Sequence, residues 1–380
     1  MRRICVITLL VCLVLLPLAG KAQTYMKAQA YYTIGELRES IPERWTQTYE
    51  TKWRKVSIDV QPTLPQVDKL PILKVIPDFR PLDISGLGEG WSRWEVNDRA
   101  TFAAFQNDLD QEERDAKGET TTTNYYPPFD MSASYAQNND LTLNDVLNHL
   151  MRIMDAMGED QGQWQYDRPT RIFVNTTVSR TTGKPLLPGS YSVSLHQKLQ
   201  GVPVLCHALN GVDSPKDQEM WFHAGLTFQI RTPESVSLGG KEVTVKEVLA
   251  DDVPLCDFSK VKSAIEEEIQ AGHIRKIFDV ELGYALYNEP GVSRKPGLEW
   301  LHTAMFYAVP VWQVNCYYVE NGQKELRDYK DLDVPERAAM EYKTLIVNAQ
   351  TGVAMDRSDN RKGCGDYLGF ISWEEVGGKQ

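Results

Sequence analysis

The sequence predicts an α+β protein whose antiparallel sheets each pack against a helix. From about Arg171 onward, apolar and polar residues alternate in several short segments, which is the period of a half-buried strand. Two other segments, Thr142 to Met157 and Ser259 to Ala271, place apolar residues along one helical face. Antiparallel strands interleaved with helices that bury one face are typical of the α+β class.

The chain begins with the three parts of a secretory signal. A basic start, Met1-Arg2-Arg3, precedes an apolar run from Ile4 to Leu18, and small residues precede the predicted cleavage position after Ala22. The run is short for a membrane span, which needs roughly 20 residues. We therefore expect residues 1–22 to be a signal peptide that is removed, so that the mature chain starts at Gln23. An uncleaved membrane anchor is the alternative.

Composition indicates an acidic, soluble globular protein. Of the 380 residues, 42% are hydrophobic and 24% are charged, close to the globular average. The formal net charge is −11, and loss of Arg2, Arg3 and Lys21 with the signal would bring it to about −14. This balance argues against nucleic acid and anionic membrane surfaces as partners. No second apolar run has spanning length, so we expect no integral membrane span after cleavage.

Four cysteines remain after the signal: Cys206, Cys256, Cys316 and Cys364. In an oxidising compartment they would form two disulfides, for which three pairings exist. The alternative is four small buried thiols. None belongs to a Cys-x-x-Cys pair, so the sequence predicts neither a zinc site nor a redox motif.

The predicted N-terminal region, residues 23–165, combines proline-punctuated strands with two helices. A strand is predicted from Val56 to Val60 by its alternation. Leu70 to Pro77 is predicted to be an edge strand, because proline cannot donate to an internal ladder. Helices are predicted from Asp98 to Glu113 and from Thr142 to Met157, joined through a polar surface loop that includes a run of threonines, Lys117 to Asp140.

The helix predicted from Thr142 has the clearest boundaries. Thr142 and Asp145 are spaced like a capping box at its start, and Gly158 supplies a stop. We expect one face of this helix to be buried, because its apolar residues form a single stripe. The stripe consists of Leu143, Val146, Leu147, Leu150, Met154 and Met157.

The predicted C-terminal region, residues 166–380, is rich in strands. A hairpin is predicted from Tyr191 to Leu205 with its turn at Gln200-Gly201, and a short helix from Val243 to Leu249. Ser259 to Ala271 is the better helix, closed by Gly272. The further predicted strands are 226–230, 278–286, 308–318 and 342–347. We expect this region to form two repeated layers.

Several short motifs of this region resemble known domains. Tyr191 to Gln197, followed by Gly201-Val-Pro203-Val204, is similar to the hairpin in propeptide domains of thermolysin-like metalloproteases. Pro310-Val-Trp312-Gln-Val314, followed by a strand that ends in Thr351-Gly352, resembles PepSY-type domains. The layout is also similar to Yyc-type regulators, which restrain a sensor kinase outside the cytoplasm. This resemblance covers residues 171–356, while the first half resembles uncharacterised exported proteins of Gram-positive bacteria.

The resemblance implies cystatin-like layers and a role in binding, because its motif residues are structural. Gly201 permits the positive φ that a tight turn requires, and Pro203 suits an edge strand. Trp312 is a large core residue with one polar group. Thr351-Gly352 closes a strand in a tight turn.

No catalytic motif occurs in the sequence. There is no His-Glu-x-x-His helix, no Gly-x-Ser-x-Gly elbow and no phosphate-binding loop. Cys206 and His207 are adjacent on a predicted strand, where side chains point to opposite faces, so a thiol–imidazole pair would need partners from different strands. We therefore assign no catalytic, cofactor-binding or metal-ligating residue. The histidines are His149, His196, His207, His223, His273 and His302.

Acidic and aromatic clusters also have simple structural interpretations. Asp251-Asp252 and Glu266-Glu267-Glu268 permit a calcium or acid–base interpretation, but the three glutamates spread around a helix and predict a solvated face. Asp356 to Asn360 has calcium-like spacing but lacks the central glycine and terminal glutamate of an EF-hand. Tyr125 to Phe129 and Tyr317-Tyr318 are predicted to pack locally, with an exposed contact surface as the alternative.

The sequence therefore predicts an exported, non-enzymatic binding or regulatory protein of the cell envelope. Its expected partner is another protein, contacted through exposed strand edges or the aromatic loops, and it needs no cofactor. Two alternatives remain: an exported hydrolase with an unrecognised active site, and a relative of protease-inhibiting prosegments.

Overall fold

The computed structural model describes residues 30–52, 54–78, 92–93, 120–125, 130–136, 139–158, 161–165, 172–179, 189–207, 225–232, 235–288, 305–318, 341–355 and 370–377. These residues form mostly sheet with a few helices, which confirms the α+β class. The α-helices are α1 (Ile34–Ser40), α2 (Leu143–Met157) and α3 (Phe258–Gln270), and a 3₁₀ turn covers Gln161–Gln163.

The strands follow one another along nearly the whole described chain. They are β1 (Tyr31–Tyr32), β2 (Trp45–Glu50), β3 (Lys55–Val60), β4 (Ile72–Asp78), β5 (Ser92–Arg93), β6 (Thr120–Tyr125), β7 (Trp164–Gln165), β8 (Ile172–Ser179), β9 (Ser190–Leu199), β10 (Val202–His207), β11 (Gly225–Thr232), β12 (Ser235–Ala250), β13 (Leu255–Cys256), β14 (Ile274–Asn288), β15 (Phe306–Tyr318), β16 (Glu341–Asn348) and β17 (Ala354–Met355).

Among the described strands, one 13-stranded sheet organises the fold, with the order β10-β14-β15-β4-β12-β11-β9-β8-β6 along its main path. Because β9 also pairs with β10, the path from β10 through β14, β15, β4, β12, β11 and β9 returns to its start. Most neighbours are antiparallel, while β10 runs parallel to β14 and β5 runs parallel to β12. The sheet therefore closes on itself near the β9–β10 hairpin.

Strands from both predicted regions share this sheet. β4, which precedes residue 165, pairs with β12 on one side and with β15 on the other. Leu70 to Pro77 is thus an internal strand, and its prediction as an edge strand was wrong. Pro77 is tolerated because it lies opposite Val243 of β12, beyond the end of the short pairing with β15. The division at residues 165 and 166 stays a prediction.

Helix α2 confirms the prediction for Thr142 to Met157. Thr142 accepts a hydrogen bond from the Asp145 backbone N–H, and the Asp145 carboxylate accepts one from the Thr142 N–H in return. Gly158 ends the helix at φ 69°, the left-handed conformation that glycine adopts most easily. The buried stripe of α2 packs on β7, β8, β9 and β11, where Trp164, Tyr191 and Phe228 are the largest core side chains.

Helix α3 confirms the second strong helical prediction. Asp257 caps its N-terminus by accepting from the Ser259 N–H at 2.7 Å. Phe258 lies between two tryptophans, with ring centroids 5.0 Å from Trp312 of β15 and 6.0 Å from Trp45 of β2. The helix is therefore held between the large sheet and the separate β2–β3 hairpin.

Two predictions about local structure were wrong. Val243 to Leu249 belongs to the long strand β12 and not to a helix. Its β-branched residues favour a strand, and β4 offers a ladder of backbone partners beside it. The threonine run from Thr120 belongs to strand β6, paired with β8, where a loop was predicted. The helix predicted over Asp98 to Glu113 lies outside the described residues.

The two tight turns predicted from glycines are confirmed. Gln200 and Gly201 have φ angles of 50° and 83°, which suits the hairpin between β9 and β10. Gly352 has φ 74°, and a Cβ at this position would lie 2.5 Å from Cβ of Lys260 on α3. The turn after β16 thus approaches α3 too closely for any larger residue.

Within the described part of the chain, no helix has the length and apolar character needed to cross a membrane. The predicted signal peptide, residues 1–22, lies outside that part.

Candidate functional site

The most unusual site in the described structure is a set of buried carboxylates and amides on one face of β14 and β15. We name it the carboxylate–amide cluster. Its exposed fractions are small, at 2% for Glu281, 4% for Asn315, 5% for Asp279, 6% for Gln313 and 8% for Gln165. Acidic side chains are rarely buried this deeply unless hydrogen bonds or charges compensate them.

The strand register places four of these residues together. Asp279 lies directly opposite Asn315, and Glu281 lies directly opposite Gln313, in the antiparallel β14–β15 ladder. Residues two apart on a strand share a face, so the four side chains form one patch. Gln165 reaches the patch from β7, which is paired with β9. The cluster thus connects the β14–β15 pair with β7, which lies beside β9 in another part of the closed sheet.

Hydrogen bonds link the cluster from one side to the other. Gln165 Nε2 donates to Glu281 Oε1 at 2.6 Å, and Asn315 Nδ2 donates to Asp279 Oδ1 at 2.7 Å. Asn315 Oδ1 accepts from Gln313 Nε2 at 3.1 Å and from the Thr344 hydroxyl at 3.2 Å. Each of the three amide nitrogens therefore donates to an oxygen of the same cluster.

Two amide oxygens of the cluster have no hydrogen-bond donor. Gln165 Oε1 and Gln313 Oε1 are both buried and unsatisfied. A buried polar atom without a partner costs roughly 1–3 kcal/mol, so such atoms are uncommon in folded proteins. These oxygens therefore mark the cluster as a place where a positively polarised group would be bound favourably.

The sequence pattern did not predict this cluster. The alternation from Phe278 to Leu286 predicted a strand with one buried face, and that face does pack on α3. The opposite face is buried as well, because the closed sheet brings Gln165 of β7 against it, and β10 lies close beside β14. A Cβ on Gly283 would lie 2.5 Å from the Pro203 carbonyl oxygen. The available signal was two acidic residues and two amides at alternating positions of neighbouring strands.

A separate side-chain amide, that of Gln197 on β9, takes the place of a strand neighbour for β12 just beyond the start of β11. The Val243 N–H donates to Gln197 Oε1 at 2.7 Å, and Gln197 Nε2 donates to the Val243 carbonyl at 2.9 Å. The side chain thus bonds to both backbone groups of Val243, as a neighbouring peptide unit would. His196, beside it, contacts the Val204 carbonyl through Nδ1 at 2.6 Å. Both side chains stabilise the closure of the sheet.

The described cysteines are buried thiols. Cys256 and Cys316 are both fully buried and lie outside any disulfide, which contradicts the three predicted two-disulfide pairings, because each of them uses both residues. Burial raises the pKa of the Cys256 thiol to about 11, so this thiol is protonated and poorly nucleophilic near neutral pH. The side chains of Cys206 and His207 lie outside the described ones.

The described histidines occupy separate places. His149 lies on α2 near Arg152, with 3.3 Å between His149 Nδ1 and the Arg152 guanidinium. His273 follows α3, and its Nδ1 lies 2.8 Å from the Glu268 carboxylate. His223 and His302 lie outside the described residues.

The acidic groups singled out in the sequence have structural roles. Glu266 and Glu267 are exposed on α3, which confirms the predicted solvated face. Asp251 forms an exposed ion pair with Lys69, and Asp252 accepts from the Leu70 N–H at 3.0 Å. Among the described residues, no group of three or more His, Cys, Asp or Glu converges on one point. Asp356 to Asn360 lies outside the described residues.

The aromatic contact surface predicted as an alternative is partly excluded. Tyr317 is buried, with its ring 4.8 Å from that of Phe278, so it packs inside the protein. Residues 126–129 and the side chains of Tyr125 and Tyr318 lie outside the described ones.

The outer edge of β2 is the best-described surface available to another chain. β2 and β3 form a two-stranded sheet, and among the described residues no backbone hydrogen bond joins Trp45–Glu50 to anything except β3. Trp45 and Tyr49 are buried, while the remaining side chains of β2 are exposed. Among the described residues, the edge is therefore fixed by two buried aromatic side chains and has no neighbouring strand on its other side.

Comparisons with known proteins assign no family. No family model matches the chain, and no curated protein matches it. The chain is similar to a solved structure of an uncharacterized protein from Eubacterium rectale, at 8% sequence identity and a TM-score of 0.42. The alignment covers 85% of this chain and 95% of that one. A likeness this distant transfers neither fold nor function.

Proposed function

We propose that this protein is an exported, non-catalytic binding or regulatory protein of the cell envelope, acting through contacts with another protein. The exposed edge of β2 supports this proposal most directly. Open strand edges are templates for pairing with another chain, and many domains bind extended peptide segments by adding a strand. The partner in this proposal supplies such a segment.

The hairpin geometry identifies which backbone groups face outward. The Thr51 N–H donates to the Arg54 carbonyl at 2.9 Å, so this pair is of the hydrogen-bonded kind. Pairs alternate along an antiparallel ladder, which makes Thr48–Ser57 a non-hydrogen-bonded pair. The N–H and C=O groups of Thr46, Thr48 and Glu50 therefore point away from β3, toward the open edge.

Charges flank this edge but leave its middle neutral. Arg44 pairs with Asp59 before β2, and Glu50 pairs with Lys55 at its end. Thr46, Gln47 and Thr48 between them are uncharged and exposed. Charged residues within an edge strand discourage pairing, so their absence from the middle of β2 leaves room for a partner strand of about three to four residues.

The roles of potentially reactive side chains also favour binding over catalysis. His196 contacts a backbone carbonyl at the sheet closure, and His273 pairs with Glu268 beside α3. The Cys256 thiol is buried and has a raised pKa. These contacts give each group a structural explanation.

We also propose that the second half contains PepSY-like layers. Supporting features are the packing of α3 against the face of β14–β16 that contains Trp312, and the tight turn at Gly352. Gln197, the glutamine at the end of the first hairpin strand, bonds to both backbone groups of Val243. The other helix on the sheet, α2, comes from residues 143–157 and thus from outside the region with the resemblance.

The edge proposal is tested with a pair of variants at one position. Both Thr48→Pro and Thr48→Ala remove the threonine hydroxyl. Only Thr48→Pro also removes the N–H that points toward the open edge. We expect wild type and Thr48→Ala to capture a partner protein from a native envelope extract. Thr48→Pro should capture at least tenfold less of that partner. Circular dichroism and the unfolding midpoint verify that both variants remain folded.

Equal capture by both Thr48 variants would contradict binding through β2. Hydrolysis of a peptide, ester or glycoside substrate by the purified protein, abolished by one point change, would instead favour the exported hydrolase. Nanomolar inhibition of a secreted metalloprotease would favour the prosegment relative.

A further inference from the structure

We propose that the carboxylate–amide cluster is a calcium site. The cluster consists of Gln165, Asp279, Glu281, Gln313 and Asn315, and the proposal joins two independent observations. Two carboxylates share one buried face of β14, and two buried amide oxygens in the same cluster have no donor. The site is separate from the β2 edge, so it does not depend on the proposed partner.

The unsatisfied oxygens are what distinguish this cluster from an ordinary acidic patch. Gln313 is buried, and its amide nitrogen donates to Asn315 inside the cluster, which places its oxygen there too. The Gln165 amide is held in the same way by its bond to Glu281. A carbonyl oxygen fixed in a dry interior is a good ligand for a bare cation, because the cation supplies the missing positive charge.

The ligand atoms select the class of cation. The side-chain atoms offered are carboxylate and amide oxygens, without sulfur or imidazole nitrogen, which suits hard cations and disfavours zinc and copper. Ca²⁺ accepts six to eight oxygens in irregular arrangements, including carboxylates and side-chain amides. Mg²⁺ demands near-ideal octahedral geometry and gives up its water reluctantly, so a buried, irregular cluster fits it poorly.

The hydrogen bonds already present are compatible with a bound ion. Asp279 Oδ1 accepts a hydrogen bond from Asn315, and Glu281 Oε1 accepts one from Gln165. These amide bonds fix the orientation of both carboxylates, as partners behind metal ligands commonly do. Only two carboxylates take part, so the amide oxygens are essential members of the ligand set.

An ion here would join separate parts of the chain. Asp279 and Glu281 belong to β14, Gln313 belongs to β15, and Gln165 approaches from β7. Gln165 and Glu281 are 116 residues apart in sequence. Calcium would therefore stabilise the folded protein at the point where the sheet closes, since a ligand bound only by the folded state raises its stability.

The first test uses the purified wild-type protein after treatment with a chelator. We expect 1 mM CaCl₂ to raise the midpoint of thermal unfolding by about 3–5 °C, while the same concentration of MgCl₂ has little effect. Tb³⁺, which replaces Ca²⁺, gives a second readout. Trp164 and Trp312, which are next to cluster residues in the sequence, should sensitise Tb³⁺ emission. Excess Ca²⁺ should displace the bound Tb³⁺ and lower this emission.

Variants assign the binding to the cluster. Glu281→Gln keeps the shape of the side chain but removes its charge, and we expect at least a tenfold weaker affinity for Tb³⁺ and Ca²⁺. Asp59→Asn, in the exposed pair with Arg44, is the matched control and should bind as wild type does. If Glu281→Gln fails to fold, Gln165→Ala on the short strand β7 provides the same comparison.

Three results would overturn the proposal. The first is a wild-type protein whose midpoint of thermal unfolding does not respond to Ca²⁺ and which gives no sensitised Tb³⁺ emission. The second is equal affinity in wild type and in the cluster variant, which would place the ion elsewhere. The third is an equal response to Mg²⁺ or to monovalent ions, which would show a nonspecific effect of salt on an acidic chain.

Discussion

The two faces of the β14–β15 pair are both buried, but by different chemistry. One face presents Val280, Leu282 and Trp312 to helix α3 and the β2–β3 hairpin. The opposite face, at the same level of the strands, presents Glu281 and Gln313. The two faces show two uses of a buried surface. Apolar packing stabilises the fold, whereas a buried polar network adds little net stability but keeps groups that can bind a ligand.

Removing the largest side chain of the apolar face should have the largest effect. Trp312→Ala is expected to lower the free energy of unfolding by about 3–5 kcal/mol, because Trp312 is fully buried against Phe258. Denaturant unfolding measures the loss. Met305→Ala, at an exposed position beside the same strand, is the control and should cost little. Equal losses from both changes would contradict the packing described for this face.

The polar face should respond more weakly to the loss of a complete side chain. Asn315→Ala removes the amide that donates to Asp279 and accepts from Gln313, and we expect a loss of up to about 3 kcal/mol. Thr344→Val is a milder change, because Asn315 keeps the bond from Gln313. If Asn315→Ala destabilised the protein more than Trp312→Ala, the polar network would be the main source of stability and the comparison would be reversed.

The dependence of stability on alkaline pH tests whether water reaches the buried apolar face. Burial raises the pKa of the Cys256 thiol from 9.0 to about 11. Between these values the unfolded thiol has lost its proton while the folded one keeps it, so stability falls as pH rises through this window. We expect a loss of about 2 kcal/mol by pH 11.

Cys256→Ala should flatten the pH dependence between pH 9 and pH 11. Burial also raises the pKa of Tyr49 to about 12, so some loss above pH 10 should remain in that variant. Chemical unfolding at a series of pH values measures both effects. A wild-type curve that is flat up to pH 11 would show that water reaches Cys256.

The smallest effect is expected at the solvated side of α3, outside both faces. Glu267→Ala should change the free energy of unfolding by no more than about 0.5 kcal/mol, since Glu267 is exposed and alanine favours helices. Denaturant unfolding again measures it. A loss comparable with that of Asn315→Ala would mean that α3 buries more of its surface than described.

Local sequence patterns predicted the elements of the fold better than their arrangement. The capping residues of α2 and the turn at Gly201 are encoded within a few neighbouring residues, and both predictions were confirmed. Val243 to Leu249 failed because its conformation depends on β4, far away in sequence. The proline of β4 suggested an edge strand, although only the pairing with β15 decides that question.

The carboxylate–amide cluster shows the same limit more clearly. A strand with apolar residues at alternate positions is expected to face water on its other side, so Asp279 and Glu281 looked like ordinary surface residues. Their burial depends on β7 and β10, which the closed sheet brings against β14. Strand alternation identifies which residues share a face, but not what covers that face.

The strand order has a consequence for the timing of folding. β4 can complete its ladder only after β12 and β15 have been synthesised, and the bond from the Tyr284 hydroxyl to the Pro71 carbonyl spans 213 residues. Sheets built from such distant pairings fold slowly, because loop closure must precede the gain from contact. Closure of the sheet is therefore expected to be a late and slow step of folding.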